Sequence, residues 1–186
     1  MPTFNLLPDG TTGTNQWQNP ANGTCAASNV DADNGDTDYC YEVGHSQEIT
    51  FTMANPSVVE SDIDSITSVK IYISSAYTHG VGNTTRIVIY QTGGSISNGF
   101  TAVNVAGGGA YATYSVTAET TSDGSTAWTY SDLEDLQVKL DKIVNTASRT
   151  MVRVSYLYAE VSYVAAAAVY GHSVNGVASA NIGSVN

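Results

Sequence analysis

A chain of 186 residues with seventeen Asp and Glu against six Lys and Arg carries a net charge of −11, which excludes a nucleic-acid surface built on counterion release. Its Tyr-rich, Gly-rich and β-branched makeup favours strands over helices, and the length suffices for one domain with a proper core. No segment is apolar for long enough to span a bilayer, and the N-terminus M-P-T-F-N-L-L-P-D-G has neither a basic n-region nor a sustained apolar run, so no membrane partner and no signal peptide are expected.

Residues 1–30, rich in Gly, Asn, Thr and Pro, read as an N-terminal arm or irregular edge segment anchored by Trp17. A core plug is the first reading of that indole and a ligand-stacking aromatic the second. Cys25 and Cys40 enclose a short loop that a disulfide can close, stabilising the fold by roughly 3 kcal/mol in the chain-entropy model. Two free thiols in a reducing cytoplasm are the alternative.

Between the cysteines, Asp31, Asp33, Asp36 and Asp38 crowd a stretch D-A-D-N-G-D-T-D, and a hard divalent cation wants several carboxylate oxygens on such a loop. The EF-hand register fails, because Gly35 falls where a ligand is wanted and Asp36 where the turn glycine belongs. A calcium site of another geometry and a solvated acidic turn feeding a strand remain as the two readings; no other cofactor is indicated.

The β-sandwich domain is expected over 31–164. Glu48 to Met53 alternates with Ile49, Phe51 and Met53 facing in, and Asn55-Pro56 ends it. Further strands are predicted at Ile66 to Ser74, Thr84 to Thr92, Phe100 to Val105 and Tyr111 to Thr117, separated by Gly-rich or polar turns. Ser131 reads as the N-cap of one short helical turn, followed by Asp132, Glu134 and Asp135 near the positive end of its dipole. Leu136 to Leu140 then alternates as a strand. From Thr150 a long closing strand places Val152, Val154, Tyr156 and Tyr158 on one face and Leu157, Ala159, Val161 and Tyr163 on the other, both covered. About eight strands with turns at regular intervals describe an all-β, jelly-roll-like sandwich with one short helical turn and extended terminal arms.

Residues 165–186 form a low-complexity C-terminal arm, in which H-S-V-N at 172–175 recurs as G-S-V-N at 183–186. With small residues and isolated apolar positions it builds no core of its own, so Tyr170, Val174, Val177 and Ile182 are the candidate partner-binding residues of an arm that orders on a partner. The chain ends where the second copy would read Gly-Val, as a truncated sequence would. Catalytic patterns are thin. There is no G-x-S-x-G, phosphate loop or dinucleotide fingerprint, the three His lie on separate segments, and the acidic pairs Asp62/Asp64 and Glu134/Asp135 are weak candidates for glycoside hydrolysis. No catalytic residue is assigned, and a non-enzyme is expected.

The order L-L-P-D-G, Trp17, an Asp-rich strand start, I-T-S-V-K-I, W-T-Y-S-D-L-E-D-L and a closing V-R-V-S-Y-L-Y-A-E-V-S-Y resembles a loosely related group of tailed-phage virion proteins, similar in layout to jelly-roll capsid decoration or cement proteins and minor structural proteins. The resemblance implies a non-enzymatic capsid-surface protein of a bacteriophage. Such a protein is made in the host cytoplasm, forms a homotrimer or other homo-oligomer, and is bound to the major capsid protein. It would stabilise the shell by mass action through its sandwich and arms. Two rival readings stand beside it. One is a carbohydrate- or receptor-binding sandwich of a tail or adhesion protein, with aromatics such as Tyr72, Tyr77 or Tyr90 stacking on sugars; the other is a self-assembling filament subunit with a donated terminal arm.

Overall fold

The computed structural model describes residues 1–21, 23–35, 37–42, 47–77, 83–91, 101–105, 110–121, 125–143 and 151–167, with the backbone alone at 77, 83–91, 101–105, 142 and 143. Two long strands organise it: β5 (Ile63–Tyr77) and β10 (Val152–Ala165), which pair antiparallel over nearly their whole length. The remaining strands are β1 (Thr3–Leu6), β2 (Pro8–Thr12), β3 (Cys40–Glu42), β4 (Glu48–Met53), β6 (Asn83–Gln91), β7 (Thr101–Val105), β8 (Ala112–Ala118) and β9 (Leu136–Ile143).

The pairing is nested. β6 pairs with β7, β5 with β8, β4 with β9, and β10 with both β1 and β3, as in one long hairpin folded over on itself. Cross-pairing of β10 with β5 and β9 with β6 then closes two sheets, β1-β10-β5-β8 and β2-β4-β9-β6-β7. This is the jelly-roll arrangement of an all-β sandwich. Because β10 is so long, its outer edge is covered piecewise: β1 pairs along Ala159 to Ser162, the Val30 carbonyl accepts from Leu157 N at 2.8 Å, and β3 pairs along Val152 to Val154.

Alternation supplies the core. β4 buries Ile49, Phe51 and Met53, and β9 buries Leu136, Val138 and Leu140. These face Val69, Ile71 and Ile73 of β5 and Leu157, Ala159 and Val161 of β10 in one continuous cluster. On the solvent side of the β4–β9 pair, the Lys139 ammonium and the Glu48 carboxylate form an ion pair.

Within residues 1–30, β1 and β2 each add an edge strand to a sheet, and Trp17 is 1% exposed in the core, its indole N–H donating to the Gln47 carbonyl at 3.3 Å. Two expectations change at this level. The helical turn α1 (Tyr130–Glu134) starts two residues earlier than Ser131 suggests: Thr129 is its N-cap, and Thr129 and Asp132 exchange a capping box. The closing strand changes phase. A register shift between Val154 and Tyr156 inserts an extra residue, so Val152 and Val154 are buried, Ser155 is buried as well, and Tyr156 and Tyr158 turn outward while Leu157 and Ala159 turn in.

Candidate functional site

The phase change in β10 puts Tyr156 and Tyr158 on the outer face of the β1-β10-β5-β8 sheet. Tyr158 stands directly opposite Tyr72 of β5, and the cross-strand rings stack with centroids 4.7 Å apart and planes within 9°. Tyr156, two residues before Tyr158 on β10, leans on it at 5.0 Å and 35°. All three rings are half-buried, packed by one another yet open to solvent.

Polar groups border the rings. Lys70 lies opposite Glu160 in the same register, its Nζ 4.5 Å from the centre of the Tyr72 ring, and the Tyr72 hydroxyl donates to Glu160 Oε1 at 3.4 Å. Asn5 of β1 sits beside Glu160, Thr117 of β8 beside Lys70, and Ser115 of β8 beside Tyr72. Hydrogen bonding to the Tyr72 phenol raises Lys70 above the usual amine range, with Glu160 adding to it, so the ammonium is held charged. Burial raises Tyr158, and Tyr72 and Glu160 push it further, so its phenol keeps its proton. The face offers phenols, one ammonium and one carboxylate group around an aromatic surface.

The other sequence candidates fall elsewhere. Cys25 and Cys40 are joined by a disulfide with Cα atoms 5.4 Å apart, buried in the core, and this bond ties the segment after Trp17 to β3. Asp31, Asp33 and Asp38 lie on a turn where Gly35 takes a φ of +56°, a conformation that suits glycine. Asp38 Oδ1 accepts from Asn29 Nδ2 at 2.7 Å. Asp36 lies outside the described residues, and among the described residues no three His, Cys, Asp or Glu side chains group to hold a metal ion. Tyr170, Val174, Val177 and Ile182 of the C-terminal arm lie outside the described residues, as do the side chains of Tyr77 and Tyr90.

Asp62 and Asp64 line different concavities. Asp62 borders an open groove of about 720 Å³ at the end of β10, whereas Asp64 and Glu60 border one of about 240 Å³ beside Trp128 and Tyr130. Glu134 and Asp135 end the helical turn and are exposed. Sequence reasoning named Tyr72 but missed Tyr158 and Tyr156 as surface groups. Their outward turn comes from the extra residue between Val154 and Tyr156, which the sequence does not mark.

No protein-family model and no curated protein matches the sequence. Among solved structures the chain is similar to the crystal structure of the enzymatically active domain of tailspike protein 4 of bacteriophage CBA120, at 10% identity and a TM-score of 0.45. The match covers 86% of this chain and 19% of that one, so the chain spans about a fifth of the protein it resembles. At that identity and TM-score the likeness carries nothing over to this chain, and the activity in the description is that protein's own. That description, of a tailspike protein with an enzymatically active domain, is at odds with three expectations from the sequence. A capsid decoration or cement role, the major capsid protein as partner, and a strictly non-enzymatic role are withdrawn.

Proposed function

We propose that the outer tyrosine face of this sandwich binds carbohydrate, and that the chain is a receptor-binding module of a tailed-phage particle. The observation that carries the reading is the cluster of Tyr72, Tyr158 and Tyr156 with Lys70 and Glu160 on a solvent-facing sheet. Sugar rings present apolar C–H faces and a rim of hydroxyls. They are held by aromatic surface beside a few placed donors and acceptors, and this face supplies phenols, an ammonium and a carboxylate within one patch. Two strongly paired sheets give the patch a rigid base, which lowers the ordering cost of binding.

The resemblance to virion proteins in the sequence supports the particle as its setting. In a chain of net charge −11, the ammonium of Lys70 in the middle of the patch also supports a surface adapted to hydroxylated or acidic glycans over basic partners.

The test is a glycan array probed with the purified chain, followed by calorimetry on the glycan retained. Binding that is lost in Tyr158→Ala, with an unchanged β-sheet circular dichroism spectrum, supports the reading. Retention of full affinity by that variant overturns it.

A further inference from the structure

We propose that the tyrosine face selects neutral sugars, holding two adjacent ring hydroxyls between Lys70 and Glu160, with Glu160 as the specificity-determining residue. The proposal rests on the carbohydrate reading above and deepens it.

The register lays the outer face out in rows. Tyr158, Tyr72 and Ser115 stand in one row across β10, β5 and β8. Two residues along the strands, Asn5, Glu160, Lys70 and Thr117 form the next row, which crosses the whole sheet. Thr3, Ser162 and Ser68 form the row beyond it. The residues between these rows, Phe4, Val69, Val116 and Val161 among them, turn into the core, so the rows are what the sheet presents to solvent here. Successive rows lie about 7 Å apart, and a ring resting on the tyrosines brings the hydroxyls of its edge over Lys70 and Glu160.

Charge decides the class of sugar. Within these rows Lys70 and Glu160 are the charged residues, one of each sign and directly opposite in register, although the chain as a whole has seventeen acidic residues against six basic ones. An acidic sugar drawn to Lys70 would bring its carboxylate against that of Glu160, and the net charge of −11 opposes its approach. An amino sugar drawn to Glu160 would meet the Lys70 ammonium. A neutral sugar meets neither repulsion, so the pair discriminates by what it rejects as well as by what it holds.

Hydrogen-bonding chemistry decides the group recognised. An ammonium only donates and a carboxylate only accepts, whereas a hydroxyl does both. Two adjacent ring hydroxyls therefore satisfy the pair, one accepting from Lys70 Nζ and the other donating to Glu160. The side chains are held only loosely to their present neighbours. Lys70 Nζ lies 4.5 Å from the centre of the Tyr72 ring, and the Tyr72 hydroxyl reaches Glu160 Oε1 at 3.4 Å. That contact is longer than the usual O–H···O range of about 2.5–3.0 Å, so exchanging it for a short charge-assisted bond to the ligand favours binding. The Tyr72 ring, stacked on Tyr158, keeps its place as the surface for the C–H face of the sugar.

The experiment is an array of neutral, uronic-acid, sialylated and amino-sugar glycans probed with the purified chain before and after periodate treatment. Periodate cleaves the carbon–carbon bond of a vicinal diol to two carbonyls and is itself reduced to iodate. Retention is expected on neutral glycans and is expected to be lost after the treatment. In calorimetry on a retained neutral glycan, Glu160→Gln is expected to bind about tenfold more weakly with an unchanged circular dichroism spectrum, because the charge assistance is gone. Glu160→Lys is expected to move retention towards acidic glycans. Retention confined to acidic or amino-sugar glycans, retention that survives periodate, or full affinity in Glu160→Gln overturns this inference and leaves the carbohydrate reading in place. A wild type that retains no glycan of any class overturns both.

Discussion

Tyr158 on β10 and Tyr72 on β5 face each other across the central strand pair of one sheet with their rings parallel and 4.7 Å apart. Such a contact stabilises the sheet as well as shaping its surface. A double-mutant cycle of Tyr72→Ala and Tyr158→Ala in urea unfolding is expected to give a coupling of about 0.5–1.5 kcal/mol. Additive effects would mean that the two rings do not interact in solution.

The extra residue at Ser155 decides which side chains of β10 are core. Leu157 is fully buried and Tyr156 half-buried, so Leu157→Ala is expected to cost about 2–5 kcal/mol, against about 1 kcal/mol for Tyr156→Ala. The reverse order in denaturant melts would place the phase of the strand as unbroken alternation has it.

The turn α1 is held at its start by the Thr129 hydroxyl, which accepts from Asp132 N, while Asp132 Oδ2 accepts from Thr129 N at 2.7 Å. Thr129→Ala is expected to destabilise the protein by about 1 kcal/mol and Ser131→Ala by much less, measured by urea unfolding. Equal effects would return the cap to Ser131.

Alkaline titration tests the electrostatics of the tyrosine face. Lys70, raised first by hydrogen bonding to Tyr72, and Tyr158, raised first by burial, both hold their protons more tightly in the folded state than in the unfolded one. Their contribution to stability is whole below the ordinary amine and phenol range near about pH 10 and is lost as pH rises through the folded-state values. Thermal melts should therefore fall above about pH 10, and Tyr158→Phe should flatten that fall. An equally steep fall in that variant would assign the loss to other groups.

Much of this fold was legible because its strands are half-buried. β4 was placed at Glu48–Met53 from alternation alone, and β9 was placed from Leu136, Val138 and Leu140. β1 and β2 were foreseen only as an arm or an irregular edge without bounds, since T-F-N-L and P-D-G-T-T are short and largely polar and their order comes from partners distant in sequence, β10 and β4. The face of Tyr156 and Tyr158 was misassigned for a local reason. A bulge adds one residue to one strand only, and nothing in V-S-Y-L-Y announces it; the break is visible only against the Ser74 and Ser75 partners on β5. The candidate site was hidden by the same step, because Tyr72 alone is an ordinary surface tyrosine until Tyr158 is turned out beside it.

The most direct test of the account is the affinity of the purified chain for a glycan selected on an array, measured by calorimetry in the wild type and in Tyr72→Ala, Tyr158→Ala and Lys70→Met. The account predicts saturable binding by the wild type and a loss of about tenfold or more, about 1.4 kcal/mol, in each tyrosine variant, with the fold retained. Binding unchanged by all three substitutions, or no glycan bound by the wild type, would contradict it.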